Sequence, residues 1–225
     1  MDDARFASEW LERHGGNAGR KIRLLMLLDA AEYAAITPIS TGRLHALAYL
    51  ADVLSPIYGL DATRGRILKR RAGPYYPDLQ SEVDRLVGLG LVDIYNLKPS
   101  AEGERLFLDA EFGIMRDRCS SILSNIYMDA DFLRLREFFR ALAGALGAIS
   151  ENILEEATQA DLTWDEGSSG ALIDFAEWRA NNLSAPSAEI LRRTAIEDIG
   201  VADEFLTASA SLHLYVRYLQ RSANG

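Results

Sequence analysis

The chain has 225 residues, 48% of them hydrophobic and 25% charged, and it carries a formal net charge of -9. This composition is typical of a globular protein and excludes a disordered or collagen-like chain. No apolar run reaches the roughly 18 residues that a transmembrane helix needs, and the acidic start resembles no secretory signal. The single cysteine, Cys119, cannot form an internal disulfide, so we expect a cytoplasmic protein that has no membrane partner.

The charge is unevenly distributed along the chain. Residues 1–110 contain 14 Lys and Arg against 15 Asp and Glu, whereas residues 111–225 contain 10 against 18. No Lys or Arg occurs from Ala141 to Trp178, a segment that holds eight carboxylates. Such a surface repels a polyanion, so nucleic acid, if it binds, is expected on the N-terminal half.

The N-terminal half has a pattern of helices followed by a strand. After a short segment, residues 1–19, helical spacing predicts a first helix over 20–36 and a second that begins at Ser40 or Thr41. A third helix begins with Pro77 in its first turn and ends at Gly90. The sequence "LVDIYNL" then predicts one strand, and "KPSAEGERLFLDA" predicts a turn and a helix capped by Ser100. This order favours a winged helix-turn-helix over residues 20–112, with a short, degenerate wing.

A basic cluster lies just before the third helix. It consists of Arg64, Arg66, Lys69, Arg70 and Arg71, and Tyr75 follows it closely. This mixture suits phosphate contact and base stacking, but the third helix is acidic and the predicted wing is too short for a basic hairpin. Three interpretations stay open: the cluster and Tyr75 bind phosphate, an acidic partner protein, or the acidic half of this same chain.

The C-terminal half, residues 113–225, is expected to be an acidic, fully helical domain. Its strongest pattern is an apolar heptad stripe formed by Phe132, Leu135, Phe139, Leu142, Leu146, Ile149 and Ile153. The stripe is either the core of a central helix or a docking face for the coiled coil of a partner. For the second interpretation, the interface candidates are Phe132, Leu135, Phe139, Leu142 and Leu146. Further helices are predicted over "ALIDFAEWRANNL", "SAEILRRTAIED" and "FLTASASLHLYVRYLQ".

No group of residues predicts catalysis, and we expect a protein that is not an enzyme and needs neither metal nor cofactor. The three histidines are scattered, and His45 lies between apolar helix positions, where a structural role is favoured. Asp161, Asp165 and Glu166 lack the EF-hand pattern and predict an exposed acidic loop. Neither the Walker pattern, GxGxxG nor GxSxG occurs.

Four stretches resemble a known group of bacterial proteins. The stretches are "RLLMLLDAAE", "GRLHALAYLADVL", "AGPYYPDLQSEVDRLVGLGLV" and "KPSAEGERLF". They are similar to the YwgA-like and SocA (Panacea)-type winged-helix proteins over roughly residues 20–110 of this chain. In the second half, "LTWDEGSSGALIDFAEWRANNLSA" and "LHLYVRYL" resemble middle components of three-component bacterial systems built on an SMC/Rad50-like ATPase, such as Lamassu anti-phage systems.

The resemblance implies a non-catalytic adaptor in an antiviral defence complex. Such a subunit would link an SMC-like coiled-coil ATPase to a separate, nuclease-type effector, and the complex could bring it into non-specific contact with DNA. The alternative that the residues leave open is a winged-helix, DNA-binding transcriptional regulator or antitoxin-like protein.

Overall fold

The computed structural model describes residues 17–61, 66–70, 73–102, 105–165, 172–174, 182–199 and 207–223. The chain is mostly helical, with small antiparallel sheets, and its elements are numbered here within those ranges. The helices are α1 (Asn17–Tyr33), α2 (Thr41–Leu54), α3 (Pro77–Gly88), α4 (Arg116–Ile126), α5 (Ala130–Gly147), α6 (Glu151–Gln159), α7 (Leu162–Asp165), α8 (Ser184–Ile199) and α9 (Ala208–Ala223). The strands are β1 (Ile39–Ser40), β2 (Arg66–Arg70), β3 (Gly73–Tyr75), β4 (Val92–Glu102), β5 (Arg105–Ile114) and β6 (Leu172–Asp174).

The helix boundaries of the N-terminal half follow their local capping residues. Ser40 caps α2, because its Oγ accepts a hydrogen bond from the Arg43 N–H at 3.3 Å. Pro77 stands in the first turn of α3, as predicted, and Gly90 lies just beyond its end with a φ of +65°. A residue in this left-handed region is what lets the chain leave the helix sharply, which favours glycine there.

The segment after α3 differs from the prediction. Residues 98–102 and 105–110 are strand and not helix: β4 and β5 pair as a long antiparallel hairpin, in which Val92 faces Ile114 and Glu102 faces Arg105. The predicted cap residue Ser100 therefore lies within β4 and not at the start of a helix. The short-wing prediction is therefore wrong. Strand β5 has apolar residues at every second position, 106 to 114, and this period of two fits a half-buried strand better than a helix.

Two three-stranded sheets join distant parts of the described chain. In the first, the strand order is β1-β5-β4, and Ile39 pairs with Phe112. In the second, the order is β3-β2-β6, so that Leu68 lies between Tyr75 and Leu172. The prediction of a helix over "ALIDFAEWRANNL" is wrong at Leu172–Asp174, which form strand β6, and residues 175–181 lie outside the described ranges.

Helix α5 lies at the centre of one hydrophobic core. Helices α1 and α2 from the N-terminal half and α9 from the C-terminal half all pack against it. Arg43 on α2 adds a polar link, since its guanidinium donates to the carbonyl oxygens of Leu146 at 3.0 Å and Ile149 at 2.8 Å, at the end of α5. The two predicted domains, residues 20–112 and 113–225, thus contribute side chains to the same hydrophobic core.

Candidate interaction surfaces

The basic cluster is built into a strand. Arg66, Lys69 and Arg70 belong to β2, and Arg64 and Arg71 lie outside the described residues. Strand β2 pairs along one edge with β6, which comes from the acidic half, and Arg66 stands opposite Asp174 in the register. Of the three interpretations of the cluster, these contacts favour the one in which it meets the acidic half of its own chain.

Lys69 shows this intramolecular contact at the level of a side chain. Its ammonium group donates a hydrogen bond to the backbone carbonyl of Trp164, and Nζ lies 5.1 Å from the centroid of the Trp164 ring. Trp164 is itself buried, so the lysine is held against a rigid surface by a hydrogen bond and a cation–π contact. Lys69 is thereby less available to an external phosphate than the sequence suggests.

Tyr75 packs against a buried histidine. The rings of Tyr75 and His45 are 4.7 Å apart and tilted by 30°. His45 is buried, its Nδ1 accepts the Tyr76 N–H at 3.1 Å, and its Nε2 therefore carries the proton that points to Gln80 Oε1 at 3.4 Å. His45 is structural, as predicted, and it holds Tyr75 at the start of α3.

The heptad stripe faces inward. Phe132, Leu135, Phe139, Leu142 and Leu146 are all buried in the core cluster. Four of the five are 0% exposed, and Phe132 is 6% exposed. Their side chains are therefore not accessible to the coiled coil of a partner. We therefore correct the docking interpretation of these five residues: in this structure they are the core of the central helix.

Helix α3 has fewer exposed carboxylates than its sequence suggests. Asp78 and Asp84 are exposed, but Glu82 is 2% exposed and turned inward. Its Oε1 accepts a hydrogen bond from Arg85 at 2.6 Å and lies 3.9 Å from Arg20 Nε. Glu82 also lines a small cavity between α1, α2 and α3, whose volume is about 60 Å³.

The predicted exposed acidic loop contains a buried carboxylate. Asp161 is 0% exposed, and its two oxygens accept hydrogen bonds from the hydroxyls of Tyr49 at 2.5 Å, Tyr215 at 2.7 Å and Ser184 at 2.9 Å. The N–H groups of Thr163 and Trp164 donate to it as well, at 3.1 and 3.2 Å. The exposed-loop prediction is therefore wrong for Asp161, which cross-links α2, α7, α8 and α9.

Tyr49 and Cys119 illustrate how burial changes acidity in this core. Burial, together with the adjacent Asp161 carboxylate, raises the pKa of Tyr49 well above its ordinary value. Burial likewise raises the pKa of the Cys119 thiol, which donates to the Leu91 carbonyl at 3.3 Å. Cys119 is thus a packing residue, as predicted, since a reactive cysteine needs a lowered pKa.

The hairpin is the surface that the sequence analysis missed. At the end of the hairpin that packs on the hydrophobic core, Val92, Ala110 and Phe112 are buried. Farther along, large apolar side chains stay in solvent: Ile94 is 43% exposed, Tyr95 44%, Leu97 56% and Leu108 64%. Four exposed apolar side chains on one hairpin make the hairpin a candidate interaction surface.

The conformation of the hairpin is fixed by a bulge. The register shifts between Tyr95 and Lys98, where Asn96 adopts a φ of +49° and donates through its side chain to Glu111 at 2.6 Å. Strand β4 is the outer strand of its sheet, and the bulge and Pro99 interrupt its free edge. Recognition by this hairpin is therefore expected to use side chains rather than addition of another strand.

Comparisons with known proteins identify no relative: neither a protein-family model, a curated protein nor a solved structure matches the chain. Among the described residues, no group of three or more His, Cys, Asp or Glu side chains is placed to hold a metal ion. Across those same ranges, no helix has the length and apolar character required to cross a membrane.

Proposed function

We propose that this chain is a non-catalytic adaptor subunit of a bacterial anti-phage defence complex, which links an SMC-like coiled-coil ATPase to an effector subunit. The class of partner comes from the sequence resemblance, and the role of an interaction protein is supported by the surface of the fold. The observation on which the proposal rests is the hairpin, defined by β4 and β5, with its exposed Ile94, Tyr95, Leu97 and Leu108.

The topology supports a winged-helix origin for the hairpin. The elements follow one another as α1, β1, α2, α3, β4 and β5, with strands β2 and β3 inserted between α2 and α3. The strand order in the first sheet is β1-β5-β4. In winged-helix proteins the hairpin after the third helix is the wing. Here that wing is long, and in the sequence from 92 to 114 five carboxylates outnumber two basic residues, which suits a protein partner better than a phosphate backbone.

The proposal is tested by affinity capture of the full chain from its native bacterium at moderate salt, followed by mass spectrometry. We expect a large coiled-coil ATPase and an effector to be retained in a fixed ratio. The double variant Leu97→Ser and Leu108→Ser should abolish retention of at least one of them, because it removes two apolar side chains of the hairpin that are more than half exposed.

The matched control is Met128→Ser, which removes an apolar side chain that is 85% exposed in the turn between α4 and α5. This variant should retain both partners. Recovery of the chain alone, or equal loss of the partners in the control, would contradict the adaptor proposal. Circular dichroism of each variant establishes that the fold is kept.

The alternative function is a winged-helix DNA-binding regulator or antitoxin-like protein, and the length of the hairpin favours it, since a wing of this size can reach a DNA groove. This alternative predicts salt-dependent binding to duplex DNA that is lost when the basic cluster, Arg64, Arg66, Lys69, Arg70 and Arg71, is changed to alanine. No binding at low salt would eliminate it.

A further inference from the structure

The cavity between α1, α2 and α3 has an apolar wall and a polar floor. Leu24 and Leu27 of α1 and Ala48 and Ala51 of α2 form the wall. On the floor, Arg23 NH2 lies 3.9 Å from Asp52 Oδ1, and the Tyr76 hydroxyl donates to Asp52 Oδ2 at 3.1 Å. These three side chains thus contact one another on the floor of the cavity.

Glu82 is a cavity-lining carboxylate with one buried oxygen that has no hydrogen-bond donor among the described residues. Only its Oε1 has partners, namely Arg85 and Arg20. Its Oε2 is buried and accepts no hydrogen bond from any described residue, and the Glu82 side chain is part of the cavity lining. A buried carboxylate oxygen without a donor is unfavourable, so the site is completed by a group that brings N–H donors.

The charges and the size of the cavity define the ligand further. Asp52, Asp78 and Glu82 line it together with Arg20 and Arg23, so the preference for a cation comes from the buried Glu82 Oε2, an acceptor without a donor. A volume of about 60 Å³ admits a head group of a few heavy atoms and excludes a nucleotide. The apolar wall suits methylene groups behind that head.

We propose that this cavity is a binding site for a guanidinium or ammonium group on a short aliphatic stem, of the kind that an arginine or lysine side chain of a partner or a free alkylamine presents. The head donates to Glu82 Oε2, and the stem packs between Leu24 and Ala48. The site lies on the helices rather than on the hairpin, and it therefore stands independently of the adaptor proposal.

The test is an NMR titration of the full chain with agmatine and with Nα-acetyl-arginine methylamide, and with the neutral citrulline analogue as the matched ligand control. We expect saturable shifts at Leu24 and Leu79 with the two cations and none with citrulline. Stronger binding of agmatine would indicate a free amine as the natural ligand, and stronger binding of the capped arginine would indicate a protein side chain.

Two variants locate the binding. Glu82→Gln keeps the shape of the side chain but removes its charge, and it should weaken binding by at least about tenfold. Asp84→Asn removes an exposed charge from the same helix, outside the cavity lining, and should leave binding unchanged. If Glu82→Gln fails to fold, Ala48→Leu fills the cavity without changing charge and should abolish binding.

Equal binding of the citrulline analogue, the absence of saturable shifts, or equal weakening by Asp84→Asn would each overturn the assignment.

Discussion

The hydrogen bonds to the buried carboxylate of Asp161 can be tested by a single substitution. The change is Tyr215→Phe, which removes one hydroxyl and nothing else. Tyr215 lies 54 positions along the chain from Asp161, and its hydroxyl donates to Oδ2 at 2.7 Å. After the change, Ser184 is the one donor to Oδ2 among the described residues, and its single hydroxyl proton is shared with Oδ1.

The expected loss follows from the charge of the acceptor. A hydrogen bond to a charged group contributes about 1.5 to 3 kcal/mol, and the remaining oxygen stays buried with less than one full donor. We therefore expect the free energy of unfolding to fall by about 2 to 3 kcal/mol. With a urea m-value of about 2 kcal/mol/M, the midpoint Cm falls by about 1 to 1.5 M.

The assay is urea unfolding followed by circular dichroism at neutral pH, with Tyr218→Phe as the matched control. Tyr218 lies on the same helix, α9, and its ring is 5.9 Å from that of Tyr215. No hydrogen bond of its hydroxyl occurs among the described residues, so its loss should change the free energy of unfolding by less than about 0.5 kcal/mol.

Equal shifts of Cm in the two variants would refute the reasoning, because the effect would then come from the ring or the helix and not from Asp161. A double-mutant cycle with Tyr49→Phe adds a second check. Both hydroxyls donate to one carboxylate, so the two losses should not add. Additive losses would mean that Tyr49 and Tyr215 act separately.

Three further predictions concern single contacts. Lys69→Met should lower the free energy of unfolding by about 1 to 2 kcal/mol in the same assay, since it loses the carbonyl bond and the cation–π contact with Trp164; an unchanged Cm would contradict that contact. Because the pKa of Tyr49 is raised in the folded state, the stability it gives is fully present below about pH 10 and is lost as the pH rises towards that raised pKa. In the Tyr49→Phe variant, Cm should therefore decrease less steeply above about pH 10 than it does in the unchanged protein. An equally steep decrease in both proteins would contradict this prediction. Gly90→Ala should cost about 1 kcal/mol, because a φ of +65° strains alanine and its Cβ would meet Arg118; a neutral effect would argue against the left-handed turn.

The helices were predictable because their determinants are local. For α3, Pro77 at the first turn and Gly90 beyond the last are within a few residues of the backbone that they shape. The amphipathic spacing of α9 likewise places Leu212, Tyr215 and Leu219 on its buried face, as predicted. In each case a single segment contains both the pattern and the structure that the pattern specifies.

The hairpin was missed because its determinants are divided between segments. Taken alone, "SAEGERL" has a capping residue followed by good helix formers, and local propensity favours a helix there. Strand β5 is nevertheless stabilised by β4 on one side and by β1 on the other, with Ile39 opposite Phe112 across more than seventy positions of sequence. Such pairing outweighs propensity, and one sequence does not display it.

The basic cluster shows how the same limit affects functional interpretation. Along the sequence, the basic cluster and the acidic stretch without Lys or Arg are far apart, so the sequence leaves open whether the cluster binds phosphate, a partner or the acidic half of its own chain. In the fold they meet: β2 lies beside β6, with Arg66 opposite Asp174, and Lys69 binds Trp164. The backbone pairing of β2 with β6 and the contact of Lys69 with Trp164 make this part of the cluster an internal element of the fold. An external polyanion would have to displace the Lys69 contact, which shifts the search for a partner from the basic cluster to the hairpin.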